Sequence, residues 1–280
     1  MTQGPDVDLL PPVVVISLPS ALERRAVMTE RLAALGLPFR WFDAIDARGT
    51  DVGAQPIYDG RRRRLFFGRD LTGGEIGCLL SHRAVIEQAA AGDRPLLVLE
   101  DDAILHEGTV AVLRALMADQ SDWELVRFLG SPKVARSRQR RLRNLGGGFW
   151  LTRLLTTPGG AHAYLIRPEG ARKLLRRLAR TAFPVDTLMG QSWRTGVANL
   201  TVQPGIAVSD EAMESSIGDQ RFDKRLTVSG WERVLMPLAR SRWKVEENLG
   251  KHGIYWSRWP ADAARRGRAK PGRALREAQG

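Results

Sequence analysis

The segment RPLLVLEDDAIL, Arg94 to Leu105, decides the fold. Four consecutive apolar residues, Leu96 to Leu99, run straight into three carboxylates, Glu100, Asp101 and Asp102. A short continuous apolar run that begins after Pro95 is the pattern of a strand buried on both faces, as in parallel α/β sheets. In such sheets ligands bind beyond the carboxyl ends of the strands, and that is where the acids fall. Extended geometry sends Glu100 and Asp102 to one side and Asp101 to the other. Two hard oxygen donors converging at a strand end suit a divalent cation that also takes oxygens from a substrate diphosphate. The alternative use of acids after a strand is helix N-capping, and the Glu-x-Asp spacing alone does not exclude it.

Working outward, VVVISL from Val13 reads as a buried first strand, followed by a helix over SALERRAVMTERLAALG with Ser20 as N-cap, Glu23 in capping-box position and Gly36 just past the end. FRWFDAID from Phe39 reads as a second strand ending in acids, and GRRRRLFFG from Gly60 as a basic loop. Thr72 and Glu75 form a second capping-box pattern at the head of a helix that runs to Gly92. Helices near 108–118 and 168–180, and strands near 124–129 and 161–166, continue the alternation. The expected fold class is therefore α/β, a mixed, mostly parallel sheet flanked by helices. Residues 1–220 are read as the main domain, and 221–280 as a helical extension, with a helix around Trp231 to Asn248, that ends in a basic tail read as disordered.

The chain has 43 basic and 31 acidic residues, a formal charge of +12 that favours an anionic partner. The excess is concentrated in Lys133–Arg153, which has no acids, in the run Arg61–Arg64, and in the tail after Ser257. Nucleic acid, anionic lipid and phosphorylated sugar all suit such segments. Nucleic acid is the weaker candidate, because aromatic residues are poorly interleaved and no zinc-finger, RRM or helix-turn-helix signature is present. Cys78 is the sole cysteine, so no internal disulfide forms and a reducing, cytoplasmic setting is expected. The start, MTQGPDVDLLPP, is unlike a secretory leader, and no apolar run approaches the roughly 20 residues of a membrane span. A soluble or peripheral protein is expected, with the basic tail as its contact to an anionic inner-membrane surface.

Several segments together resemble glycosyltransferase family 25, the group of bacterial lipooligosaccharide galactosyltransferases and collagen galactosyltransferases. They are VVVISLPSALERRAVMTERLAALGLPFRWFDAIDA from Val13, LTGGEIGCLLSHRAVIEQ from Leu71, LLVLEDDAIL from Leu96, GGAHAYLIRPEGARKLL from Gly159 and FPVDTLM from Phe183, with SSIGDQ from Ser215 a weaker match. The resemblance implies a GT-A-like, Rossmann-type domain. It also implies transfer of a sugar, typically galactose, from a UDP-sugar donor to an acceptor hydroxyl of a glycan or glycolipid, with inversion. Mn2+, or Mg2+, is the implied cofactor, with Glu100 and Asp102 as its ligands. Ser17, Arg24, Arg25, Asp46 and Asp101 are assigned to the donor side, the two arginines being placed to reach the diphosphate or ribose. Asp186 is the leading candidate for the base that deprotonates the acceptor, and an N-cap is its plainer role. Glu75 and His82, seven apart on one helical stripe, are expected to frame a sugar. His162 and Tyr164 alternate beside the flexible Gly159–Gly160 pair, with core packing the simpler account of Tyr164.

Overall fold

The computed structural model describes residues 10–119, 121, 123–210, 228 and 230–268. The quoted segment forms β3 (Leu96–Glu100), an interior strand. Its neighbours are β1 (Val13–Ser17), parallel to it, and β8 (Ala163–Ile166), antiparallel. Beyond β1 lies β2 (Arg40–Asp43); beyond β8 lie β5 (Leu125–Arg127), β9 (Asn199–Gln203), β7 (Phe149–Leu154) and β6 (Gln139–Gly146), giving one eight-stranded sheet. The β2-β1-β3 portion is parallel, as is β5-β9, and the remaining pairings are antiparallel. The sheet is therefore mixed. A separate two-stranded ribbon pairs β4 (Ala103–Leu105) with β10 (Ala207–Ser209) next to the end of β3.

Alternation along the strands divides the core in two. Val14, Ile16, Leu96 and Val98 face α3 (Gly73–Ala91) and α6 (Pro168–Leu178), whereas Val13, Val15, Leu97 and Leu99 face α1 (Leu22–Ala34) and α4 (Thr109–Met117). A strand with apolar residues at every position is what lets both layers form. Thr72 caps α3 with the full reciprocal box expected for it, Thr72 taking the Glu75 N–H and Glu75 the Thr72 N–H. At α1 the corresponding expectation fails. Ala21 is the N-cap and no side chain caps it, because a turn from Leu18 O to Ala21 N carries the chain past Ser20.

Two segments read as loops are regular. GRRRRLFF is α2 (Gly60–Phe67), started by the Asp59 carboxylate on the Arg62 N–H at 3.1 Å and ended by Gly68 in the left-handed region. KVARSRQRRLRNLGGG from Lys133, whose charges suggest a basic loop, folds into α5 (Pro132–Ala135) and the β6–β7 hairpin. In both, several of the charges, Arg63, Arg140 and Arg153 among them, face other parts of the chain rather than solvent. Arg63 is buried on the Phe67 ring at 4.1 Å, with desolvation lowering its guanidinium to about 10.

Other partners of these arginines belong to the C-terminal extension. Helix α9 (Gly230–Ser257) is longer than expected, and α10 (Trp259–Arg268) occupies the start of the tail read as disordered. Residues 269–280, the SSIGDQ match and the 220/221 boundary lie outside the described residues. Trp243 of α9 packs with Phe66, Phe67 and Phe183, Glu232 pairs with Arg64 at 2.9 Å, and Arg194 pairs with Glu246 at 2.6 Å. Gly250 permits this approach, since a Cβ there would sit 2.3 Å from the Trp193 ring. Asp262 of α10 is wholly buried and pairs with Arg140 at 2.6 Å and Arg153 at 2.9 Å, while Tyr255 and Trp259 each hold the Arg140 guanidinium 4.3 Å from their ring centres. Much of the arginine excess is thus spent internally, which weakens the ground for a nucleic-acid partner.

Replacing Asp262 by Ala leaves two buried guanidinium groups without their shared counter-charge. Urea unfolding is expected to show a loss of about 3–5 kcal/mol; a loss below about 1 kcal/mol would mean that α10 does not hold the hairpin.

Candidate active site

The strand ends at Glu100, and the chain turns through Asp101 and Asp102 into β4. Glu100 keeps the α3-facing direction of Leu96 and Val98. There His82 Nε2 lies 2.9 Å from its Oε1, and His82 Nδ1 lies 3.0 Å from the Tyr164 hydroxyl. A self-consistent assignment has Tyr164 donating to Nδ1 and Nε2–H donating to Glu100. Asp101 points to the opposite layer, where Ser17 donates to it at 2.6 Å and Arg24 pairs with it at 2.6 Å. Asp102 takes its direction from the turn rather than from the pleat. It accepts from Ser209 at 2.7 Å and shares Arg24 with Asp101, at 3.8 Å, while staying within electrostatic reach of Glu100. Its Oδ1 is buried and has no hydrogen-bond partner among the described residues.

Charge and burial compete at this turn. Desolvation raises the Asp101 carboxyl, and it raises Asp102 too, with the negative charge of Glu100 adding to the effect. Glu100 is also desolvated, but the His82 hydrogen bond, with the positive charge of Arg24 adding to it, outweighs burial and holds it below its usual value. The His162 carbonyl also accepts the Glu100 N–H at 2.8 Å, so the residue read beside the glycine pair is fixed against the acid turn.

The donor-side expectations separate. Ser17, Arg24 and Asp101 form one hydrogen-bonded group. Arg25 adjoins it, donating to the Ser17 carbonyl at 2.9 Å and to Asp43 at 2.5 Å, and stacks over Trp41 at 4.9 Å. Both arginines, expected to reach a diphosphate, here hold acids of the chain itself. Asp46 is exposed and pairs within its own turn with Arg48, whose hydrogen bonds lower its carboxyl to about 2. The structure gives it no contact with the acid turn.

Glu75 has a structural task, accepting from Thr72 N and from Arg69 at 2.9 Å; these bonds overcome burial and lower its carboxyl. Asp186 lies in the first turn of α7 (Val185–Gly190) without capping it across the usual span. Its Oδ2 accepts the Gly160 N–H at 2.9 Å, its Oδ1 accepts from Thr187 N at 2.5 Å, and a Cβ on Gly159 would strike it at 2.8 Å. Between these groups stands Cys78, one turn from both Glu75 and His82. Glu100, Asp186, Glu75 and Asp102 all act on its thiol, which desolvation first and those charges second push well above its ordinary value. The signal was available in the i, i+3, i+7 spacing of Glu75, Cys78 and His82. Ser209 had none, since it arrives from a short distant strand.

One Cys78, one His82 and one Glu100 donor atom lie within 4.8 Å of one another, a group that does not include Asp101 or Asp102. Both His82 nitrogens already have protein partners, and the thiol is held protonated, so this group reads as an internally satisfied network. The oxygen donors suited to a hard cation are at the turn itself: unpartnered Asp102 Oδ1, and Glu100, whose Oε2 makes no hydrogen bond among the described residues.

A family model described as Glycosyltransferase family 25 (LPS biosynthesis protein) matches residues 10–189, from β1 through α7 and including every acid of the turn. This places the protein in the glycosyltransferase class, on an α/β fold. The chain belongs to glycosyltransferase family 25. It is 32% identical over 194 residues to the human protein named Inactive glycosyltransferase 25 family member 3, covering 63% of this chain and 31% of that one. It is 30% identical over 191 residues to the Anopheles gambiae glycosyltransferase 25 family member, covering 62% and 30%. A shorter match, 35% over 96 residues, joins it to the lacto-N-neotetraose biosynthesis glycosyltransferase LgtB of Neisseria meningitidis, covering 34% and 33%. The chain thus spans about a third of the length of these relatives.

Ser17→Ala removes the hydroxyl that donates to buried Asp101. A loss of about 1.5–3 kcal/mol in urea unfolding is expected for a hydrogen bond to a charged group, and an unchanged midpoint would show that Arg24 alone holds the carboxylate.

Proposed function

We propose that the protein is a metal-dependent, inverting glycosyltransferase that moves a sugar, galactose first among candidates, from a UDP-sugar to a hydroxyl of a lipopolysaccharide- or lipooligosaccharide-type surface glycan. Names among the relatives include both biosynthetic enzymes and proteins called inactive, so the reading rests on this chain's own site. The observation that carries it is Asp102 Oδ1, buried and unpartnered beside a second carboxylate at the end of an interior strand. An orphaned acceptor of this kind is costly unless a ligand meets it. The hard oxygen set of Asp102 and Glu100 fits Mn2+ or Mg2+, and both would hold it. A cation there supplies charge neutralisation for the departing diphosphate.

The remaining work falls to the chain. Ser17 and Arg24 hold Asp101 and orient the turn. Tyr164 and His82 fix the Glu100 carboxylate. Asp186, pinned by Gly160 and Thr187, accepts the proton of the acceptor hydroxyl as it attacks the anomeric carbon opposite the leaving nucleotide. Glu75 supports the head of α3, from which Cys78 and His82 face the same space.

A cytoplasmic enzyme at the inner-membrane surface is part of the proposal. Among the described residues no helix is long and apolar enough to cross a membrane. The outward face of α9 nevertheless carries Val234, Leu238, Val245 and Leu249 at helical spacing, each more than half exposed, and Arg233, Arg240, Arg242 and Lys244 are exposed beside them. An apolar stripe edged by cations is the pattern of a helix lying in an anionic interface. The proposal therefore adds α9 to the basic tail as a membrane contact.

With UDP-galactose and Mn2+, donor hydrolysis or transfer should vanish in EDTA and fall at least about 100-fold in Asp102→Ala, with circular dichroism unchanged. Asp186→Asn should lower turnover by about 10²–10⁴. Full turnover in Asp102→Ala would refute the metal site. Separately, flotation with phosphatidylglycerol vesicles should be lost in a Leu238→Glu, Leu249→Glu double variant, and equal flotation of that variant would remove α9 as the contact.

A further inference from the structure

Between the segment 155–158 after β7, α8 (Ser192–Thr195) and the last turns of α9 lies a recess open to solvent. Its charged lining consists of Arg127, Arg153 and Lys251, with no carboxylate among the lining residues. Arg127, at the end of β5, is 1% exposed. Its Nη2 donates to the Gly160 carbonyl, but its Nε has no hydrogen-bond partner, and no carboxylate comes within ion-pair distance, among the described residues. Desolvation lowers this guanidinium to about 10, so it remains charged at neutral pH. A buried, charged group with no counter-ion is disfavoured unless something else supplies the opposite charge.

Other donors share the recess. Trp193 Nε1 is buried and without a hydrogen-bond partner among the described residues, and Thr156, Thr157 and Ser192 supply hydroxyl groups. Arg153 is compensated by Asp262, which it shares with Arg140. Two acids are close by. Glu247 accepts from the Thr157 hydroxyl at 3.4 Å, and Asp186 acts on Arg127 from a distance while its oxygens serve Gly160 and Thr187. Neither fills the Arg127 Nε position. A water would meet the hydrogen-bonding need there but not the charge.

We propose that this recess is a binding site for the phosphoryl group of a phosphorylated sugar, held by Arg127, Lys251 and Trp193 Nε1. A phosphoryl group matches the donor set in charge and in its several acceptor oxygens. Arg127 donates to the Gly160 carbonyl and Asp186 accepts the Gly160 N–H, so the phosphate site backs onto the glycine pair that also holds the proposed base. If the transfer proposed above holds, the acceptor is a phosphate-bearing glycan; that extension rests on the transferase reading, whereas the site itself does not.

The test is calorimetric titration of the full chain in EDTA, without donor, at fixed ionic strength, using glucose 6-phosphate, inorganic phosphate and glucose. Saturable one-to-one binding of glucose 6-phosphate is expected, with inorganic phosphate weaker and glucose silent. Lys251→Gln and Trp193→Phe should each weaken the sugar phosphate about five-fold, the loss of one good hydrogen bond. Asp102→Ala should bind it as the parent does, which separates this site from the acid turn. Absence of saturable binding, or full affinity in both Lys251→Gln and Trp193→Phe, would overturn the site. Inorganic phosphate binding at least as well as glucose 6-phosphate would overturn the sugar-phosphate assignment.

Discussion

The structure is organised around the cost of taking three consecutive carboxylates out of water at the tip of β3. The strand must be interior for its apolar face pair to form two core layers, and its last residues inherit that burial. Each acid is answered from a different element: Glu100 by His82 of α3, Asp101 by Ser17 of β1 and Arg24 of α1, Asp102 by Ser209 of β10. The compensation joins both faces of the sheet and the β4–β10 ribbon at one point. It is also incomplete, because one oxygen of Asp102 is left over.

Much of this was legible before any coordinates. An apolar quartet ending in acids predicts an interior strand with a polar mouth, and the Thr72–Glu75 spacing predicts the head of α3, because both signals are local. The acid turn was harder. Alternation correctly separates Glu100 from Asp101, but it carries no information past the end of a strand, so the direction of Asp102 depended on a turn and on a serine more than a hundred residues away. Asp46 illustrates the converse: a motif resemblance placed it with the donor, while a neighbouring arginine two residues on engages it at the surface.

Arginine runs were the least legible feature, for a physical reason. A guanidinium is equally suited to solvent, phosphate, carboxylate and aromatic faces, and sequence shows only that it is present. In this chain Arg63, Arg64, Arg140 and Arg153 meet Phe67, Glu232 and Asp262, partners that lie between 4 and 168 positions away in sequence. A strongly positive composition therefore described the way the C-terminal helices are fastened more than it described a ligand.

Among the unmet needs that remain in the described residues, two are opposite in sign. Asp102 Oδ1 lacks a donor at the end of β3, and Arg127 Nε lacks an acceptor at the end of β5, one strand beyond β8. The Gly159–Gly160 pair stands between them, with Gly160 at φ +100° and hydrogen-bonded to both Asp186 and Arg127. A side chain at either glycine would be obstructed, by Asp186 at the first and by backbone strain at the second. The sequence thus keeps two small residues where a negative site and a positive site approach across one strand. On the proposed reading that separation would suit a reaction with two anionic partners: the acids, through a cation, would face a diphosphate, and the guanidinium would face the second anion directly. In the proposed reaction the two anionic groups would then be held apart by protein charges of opposite sign, with Asp186, held by Gly160, taking the proton of the acceptor hydroxyl.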